Sequence, residues 1–319
     1  MIRRCLLRPR HARPCRLDGR RIIVTGAAPG SIGFETARHL AAWGADVVVT
    51  TRREPQRLAE SLRAAVAGTT DHGSIDAQAL DLADAGSVER FAAWHADTRD
   101  GLDVLVNNAG IHLDLLSQWK QPQLSADGHE IHWRTNYLGT MHLTQRLLPA
   151  LLRSGNPQRP SRIVNVVSQL HARGRNAGLF GDTSPYNSWV AYGNSKLALV
   201  HASRELQQRY RAQGLQAYCL HPGAVFTNIA DRGLENTGAI ETVRKVFAPI
   251  EAFFLLTPAE GAQTTLHCAT DAHAMGGHYY RNCAIAAPSA DSADTAVSSR
   301  LWDQTRAWID ALAPTSAMS

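Results

Sequence analysis

Short apolar runs rich in β-branched residues alternate with longer helical patterns, and this alternation restricts the fold more than any other feature of the chain. Strand-like runs occupy residues 21–25 (RIIVT), 46–50 (DVVVT), 76–80, 102–106 (LDVLV), 162–167 (RIVNVV) and 217–220 (AYCL). Helical patterns lie between them at 32–43 (closed by Gly44), through Leu58 and Leu62, at 88–95, 136–152 and 195–210, and again from near Pro258. Strands that are apolar throughout must be covered on both faces, and an intervening helix lets successive strands run parallel. The expectation is an α/β fold, a single doubly wound parallel sheet with helices on both faces. No linker or low-complexity tract breaks the rhythm, so residues 18–319 read as one domain.

The turn after the first strand narrows this further. Thr25-Gly26-Ala27-Ala28-Pro29-Gly30-Ser31-Ile32-Gly33 joins the first strand to the first helix. Glycines there allow a tight turn and close approach of backbone to a pyrophosphate, while the helix start offers unpaired N–H donors. Gly26, Gly30, Ser31, Ile32 and Gly33 are therefore candidate dinucleotide contacts on a Rossmann-type sheet. The second strand runs into Thr51-Arg52-Arg53, where an NAD site usually carries an acid for the ribose 2′-hydroxyl. An arginine accommodates a 2′-phosphate instead, so Arg52, with Arg53 as second candidate, points to NADP(H) in preference to NAD(H). A solvated arginine at a strand end is the plain alternative.

Lysine is scarce: only Lys120, Lys196 and Lys245 occur, and one of them lies four residues after Tyr192 in Tyr192-Gly193-Asn194-Ser195-Lys196. On a helix that spacing makes the two side chains neighbours. A lysine so placed stabilises tyrosinate and lowers the phenol from about 10 towards working pH, which makes a general acid or base. A surface pair on a helix would show the same spacing.

The glycine turn is followed by Asp81-Leu82 after the third strand and Asn107-Asn108-Ala109-Gly110 after the fourth. Asn136 heads a long helix, Ser168 follows RIVNVV, and His221-Pro222-Gly223 comes after the Tyr192/Lys196 pair. In this order the chain resembles the short-chain dehydrogenase/reductase family, retinol-dehydrogenase-like branch, from about Leu17 to near the C-terminus. The resemblance implies an oxidoreductase that interconverts an alcohol with its ketone or aldehyde. Ser168 would bond the substrate oxygen and Tyr192 would give or take its proton. Lys196 would hold the nicotinamide ribose and depress the Tyr192 pKa, and Asn136 would seat a water linking Lys196 to solvent. Asp81 and Leu82 would contact the adenine. Asn107, Asn108, Ala109 and Gly110 would lie along the cofactor or shore up the sheet beside it. Pro222, Gly223 and Thr227 would lie against the nicotinamide, with Thr227 bonding its carboxamide. Hydride transfer to a carbonyl builds negative charge on oxygen, so converging donors are what the chemistry needs. Plain roles stand beside these: Ser168 as a turn cap, Asn136 as a helix cap, Ser195 as packing and His221 as a structural residue.

The chain departs from the family pattern T-G-x-x-x-G-x-G in having Ser31 as an additional residue, and Pro29 lacks an N–H. A bulged loop in which Ser31 supplies a hydroxyl is expected. Residues 169–191, with Gly174, Gly178, Gly181 and Pro185, suit a surface excursion over the site. The expected substrate lid spans 226–256, where Ile240, Val243, Phe247 and Ile250 recur at helical spacing ahead of Phe253 and Phe254. That stripe points to a bulky apolar alcohol or carbonyl compound, or else to ordinary core or a dimer face; a homodimer or homotetramer is left open.

A hydrophobic content of 44% with 19% charged residues describes a globular chain, and no apolar run reaches the length of a membrane span. Five cysteines without a C-x-x-C pair exclude a disulfide framework and favour a cytoplasmic setting. The histidines show no ligand spacing, so no metal is expected, and His112, His129, His132 and His142 read as scattered surface and core residues. Residues 1–17 belong to an arginine-rich head with Arg3, Arg4, Arg8, Arg10, Arg13 and Arg16, read as a disordered, solvated extension. A leader or a nucleic-acid arm is the alternative there; nucleic acid is not an expected partner. A non-catalytic nucleotide sensor on the same scaffold is the rival to an enzyme.

Overall fold

A computed structural model describes residues 10–112, 121–181, 185–223 and 256–312. Thr227 and all of the expected lid except Leu256 lie outside the described residues.

Eight strands form one sheet: β1 (Arg21–Val24), β2 (Asp46–Thr51), β3 (Ile75–Ala79), β4 (Val104–Asn107), β5 (Ser161–Val166), β6 (Leu215–His221), β7 (Tyr279–Arg281) and β8 (Ala284–Ala286). Their order is β3-β2-β1-β4-β5-β6-β7-β8, parallel except for the terminal β7–β8 pair. The helices are α1 (Ile32–Ala42), α2 (Pro55–Val66), α3 (Ala85–Thr98), α4 (Gly139–Ser154), α5 (Ser188–Tyr210), α6 (Pro258–Thr270) and α7 (Thr295–Leu312). Alternate residues on each strand serve opposite faces. Ile23, Leu105 and Ile163 feed one core, shared with Phe91 of α3, Leu147 of α4, Leu199 of α5 and Trp302 of α7. Ile22, Val24, Val106 and Val164 feed the other, shared with Leu40 of α1, Leu62 of α2 and Leu266 of α6. The chain thus builds the doubly wound α/β sheet that its strand–helix alternation requires.

Several elements differ from expectation. Helix α5 starts at Ser188 rather than 195, because the Asn187 carboxamide oxygen accepts the Trp189 and Val190 N–H groups at 3.0 and 3.1 Å. The helix expected from 136 is preceded by a π-helical turn, Trp133–Leu138, so Asn136 lies inside helical backbone and is not its cap. Strands β7 and β8 and helix α7 were not anticipated; each strand has only three residues, too few to show a period.

The described part of the arginine-rich head, residues 10–17, is ordered and not a solvated extension. The Arg10 N–H donates to Asn282 Oδ1 (2.7 Å), the Ala12 N–H donates to Gln263 Oε1 (3.0 Å), and Ala12 and Leu17 are buried in the second core. Arg20 and Arg21 just beyond it grip Asp103, whose Oδ2 accepts the Arg21 N–H at 2.9 Å and Nε at 3.1 Å, with Arg20 Nη1 3.3 Å from Oδ1. The apolar side chains and this ion pair hold the segment down.

Candidate active site

Most segments expected to carry chemistry follow the C-terminal ends of parallel strands, the edge where ligands bind in open α/β sheets, while Asn136 lies in the π-helical turn and Tyr192 and Lys196 lie within α5. The glycine turn leaves β1, Arg52 and Arg53 follow β2, Asn108–Gly110 follow β4, Ser168 follows β5 and Pro222–Gly223 follow β6.

In the glycine turn Ser31 is the N-cap of α1, its hydroxyl oxygen accepting the Phe34 N–H at 3.1 Å. The additional residue thus starts the helix, and its oxygen is engaged locally while its O–H proton is left to donate. Gly33 is required sterically: a methyl group there would sit 2.4 Å from Asn108 Nδ2 and 2.6 Å from the Gly26 carbonyl. Asn108 is the reason for that crowding, since its Nδ2 donates to the Thr25 and Gly26 carbonyls at 2.9 and 3.0 Å. Thr25 Oγ1 in turn accepts the Asn108 and Ala109 N–H groups. Asn107 is buried, donating to Thr144 Oγ1 and Asn165 Oδ1 at 3.0 and 2.8 Å. Both asparagines therefore shore up the turn and the sheet.

Arg52 and Arg53 are exposed, and among the described residues neither is ion-paired with a carboxylate. Asp81 Oδ1 caps the Ala83 N–H (2.9 Å). Leu82 is buried, and its carbonyl accepts Arg134 Nη1 at 2.7 Å.

Tyr192 and Lys196 occupy adjacent turns of α5, with Lys196 Nζ 5.8 Å from the Tyr192 ring centroid. Lys196 is 4% exposed and donates to the Val166 carbonyl at 3.2 Å. Burial brings its ammonium down to about 8. Burial also pushes the Tyr192 phenol up to about 12, opposed by a hydrogen bond with the Ser168 side chain. The expected lowering of Tyr192 by Lys196 is not what this geometry produces: desolvation dominates, and the ammonium is held by a backbone carbonyl. Ser168 takes the plain role set beside its substrate contact, capping a 3₁₀ turn through the Leu170 N–H (3.2 Å), and its side chain also reaches Tyr192.

Asn136 is fully buried. Its Oδ1 accepts the Ile111 N–H at 2.8 Å, while its Nδ2 donates to the Ile111 carbonyl at 2.9 Å and to Ser195 Oγ at 3.1 Å. Ser195 in turn donates to the Tyr192 carbonyl at 2.7 Å. Asn136 thus joins the turn after β4 to the face of α5 that carries Tyr192. Gly110 fits the gap between them, since a methyl group there would lie 3.0 Å from Lys196 Nζ and 3.2 Å from Asn136 Oδ1. His221 accepts the Gly223 N–H on Nδ1 at 2.9 Å, and burial takes it down to about 4. It is a neutral, structural residue.

The geometry adds residues that sequence reasoning passed over. His112 stacks on the Tyr192 ring (centroids 4.1 Å apart, planes 16°), and His132 meets it edge-on at 6.1 Å. Glu130 Oε1 lies 2.7 Å from His132 Nδ1. His171 lies 2.7 Å through Nδ1 from the Ser168 carbonyl, while its Nε2 accepts the Ser289 N–H at 3.0 Å. The clustering of His112, His129, His132 and His142 in sequence was the available signal, but it did not separate 112 and 132 from 129 and 142. The latter two instead approach Trp308. A cavity of about 730 Å³ bordered by Glu130, Trp133, Phe180, Tyr186, Asn194 and Trp308 lies elsewhere, with neither Tyr192 nor Lys196 in its wall.

The family model for short chain dehydrogenase matches residues 20–237. Human retinol dehydrogenase 11 is 35% identical over 291 residues, covering 90% of this chain and 85% of that protein. Zebrafish (Danio rerio) polyprenol dehydrogenase is 33% identical over 298 residues, covering 92% and 87%. Among solved structures, an uncharacterised protein from Mycobacterium paratuberculosis superposes with a TM-score of 0.67 at 31% identity, covering 93% of this chain and 95% of that one. A protein from Beutenbergia cavernae described as an NAD(P)-dependent gluconate 5-dehydrogenase, with bound NADP, gives 0.61 at 28% identity, covering 85% and 97%.

Proposed function

The chain belongs to the short-chain dehydrogenase/reductase family, in its retinol-dehydrogenase-like branch, and is an alcohol/carbonyl oxidoreductase; from that premise we propose that it uses NADP(H) to interconvert a bulky apolar alcohol with its aldehyde or ketone, with Tyr192 as general acid/base. The observation that carries this reading is the placement of Tyr192 on α5, with the Ser168 side chain beside it and the buried Lys196 ammonium one helical turn away, 5.8 Å from its ring. Two hydroxyls converge where a substrate oxygen would gain charge, and the phenol, far more acidic than the serine hydroxyl, is the one that would give up its proton.

The residues present suit a dinucleotide. The glycine turn leaves no room for a side chain at Gly33, α1 begins at the turn, and Arg52 and Arg53 are exposed beyond β2. These two arginines would take a 2′-phosphate, which favours NADP(H); the B. cavernae relative with bound NADP agrees with that choice. Lys196, with one backbone acceptor, would hold the ribose hydroxyls, and Pro222, Gly223 and Thr227 would flank the nicotinamide. When bound, the nicotinamide supplies or accepts the hydride. On the protein side, Ser168 orients the substrate oxygen, Tyr192 gives or takes its proton, and Asn136 fixes the strand-end turn against α5, with a water relay from Lys196 running past it. The names of the retinoid and polyprenol relatives favour an extended apolar substrate. No helix among the described residues is long and apolar enough to cross a membrane. The free cysteines Cys15, Cys219, Cys268 and Cys283 fit a reducing, cytoplasmic setting.

The test is consumption of NADPH and of NADH over a panel of aldehydes and ketones that includes retinal, wild type beside Tyr192→Phe. Turnover is expected with NADPH in preference to NADH, falling by about 10²–10⁴-fold in the variant with NADPH binding kept. No turnover on any substrate, or a variant as fast as wild type, would overturn it; the first result, with NADPH binding kept in both proteins, is what a non-catalytic nucleotide sensor predicts.

A further inference from the structure

We infer that Glu130 and His132 are positioning residues for Tyr192, fixing the ring stack that aims its hydroxyl at the reacting oxygen; the inference rests on the catalytic reading of Tyr192. The Glu130 carboxylate has three donors. Oε2 accepts the Trp133 N–H at 2.8 Å, and Oε1 accepts from His132 Nδ1 at 2.7 Å and from the Tyr186 hydroxyl at 3.0 Å. Burial opposes its charge, but these bonds hold the carboxyl below its ordinary value. A carboxylate has no proton to give, so His132 carries hydrogen on Nδ1, which sets both its tautomer and its ring orientation.

His132 is fully buried and presents its ring edge-on to two neighbours, His112 at 6.0 Å and 73° and Tyr192 at 6.1 Å and 88°. His112 is held from other directions too. Trp189 meets it edge-on at 5.1 Å, and the residue before it, Ile111, is pinned at both N–H and C=O by Asn136. Tyr192 therefore lies against a wall whose parts come from three places: the turn after β4, the helical entry that contains Glu130 and Asn136, and the start of α5. Glu130 links the last two directly, because Tyr186 immediately precedes α5 and Trp133 opens the π-helical turn. Placement errors of about 1 Å at a reacting group cost on the order of 10²-fold in rate, so a wall of this kind has a catalytic consequence without touching substrate.

The experiment compares wild type, Glu130→Ala, Glu130→Gln and His132→Ala as full-length proteins. Steady-state kinetics with NADPH, the solvent deuterium isotope effect on kcat, and NMR of ring-¹³C-labelled tyrosine are measured, with the Tyr192 signal assigned by its loss in Tyr192→Phe. The two alanine variants are expected to lose about tenfold to a hundredfold in kcat with KM for NADPH within about twofold. Their isotope effect should rise as proton donation becomes limiting, and the Tyr192 ring should flip faster. Gln retains a carbonyl acceptor for His132 Nδ1–H, so Glu130→Gln should recover most of the rate and the slow ring. Equal damage in Glu130→Gln and Glu130→Ala, or unchanged ring flipping in both alanine variants, would overturn the inference. Should wild type turn over nothing, the catalytic reading fails, while the ring-flip comparison still decides whether Glu130 and His132 hold Tyr192.

Discussion

The two ends of the sheet treat buried charge in opposite ways. At the end where β1 and β4 begin, Asp103 is surrounded by donors: the Arg21 N–H, its Nε and the Arg20 guanidinium. At the end where the strands exit, Lys196 is buried with one carbonyl partner, and burial brings it down to about 8. The first arrangement compensates its charges and stabilises the fold. The second leaves a charge under-compensated, a condition that persists where it serves chemistry.

Substitutions at the two ends should break this comparison cleanly. The largest effect is expected from Lys196→Met, which should lower turnover by about 10²–10⁴-fold while leaving thermal stability equal or higher. The sign follows from the lowered ammonium: the unfolded chain holds the proton up to its ordinary value and the folded one only to about 8. Wild-type stability should therefore rise as pH climbs from about 8 to about 10.5, and that rise should vanish in Lys196→Met. Urea unfolding across that range measures it. Asp103→Ala should do the reverse, costing about 3 kcal/mol in the same assay, because Arg20 and the Arg21 N–H lose their partner, with kcat of the folded protein unchanged. A loss of turnover without loss of stability in Asp103→Ala would erase the distinction between the ends.

An effect of at most similar size per residue concerns buried histidines across the molecule. Burial takes His95, His201 and His221 each down to about 4. Unfolding lets them take up protons below about 6.5, so stability present at neutral pH should drain away as pH falls towards about 4, by up to about 3 kcal/mol for each. His201→Asn should flatten part of that acid limb; an unchanged acid midpoint would show that His201 does not contribute.

Much of the fold was legible because apolar strands and helices carry their periods in local sequence. β1, β2 and β5 lie within one residue of where their β-branched runs place them. The tail was not legible: β7 and β8 are three residues each, and only pairing with β6 and β8 makes Tyr279–Arg281 a strand. The start of α5 was missed for a related reason. Asn187 reads as a loop residue until its side chain is seen capping Trp189 and Val190. In the site, Gly33, Ser168, Tyr192 and Lys196 stood out because each is tied to a spacing. Glu130, His132 and His171 did not, since their roles depend on partners brought from elsewhere in the chain.

What the sequence determined alone was the doubly wound sheet, the turn for a dinucleotide and the identity of the tyrosine–lysine pair, all of them properties of local period and spacing. Only the tertiary structure decided the state of that pair. The spacing allowed Lys196 to lower the Tyr192 pKa, yet the segments packed around the pair bury Lys196 and half-bury Tyr192, so the phenol goes up and the ammonium comes down. Desolvation is set by every segment that packs around a group, and no stretch of sequence records it.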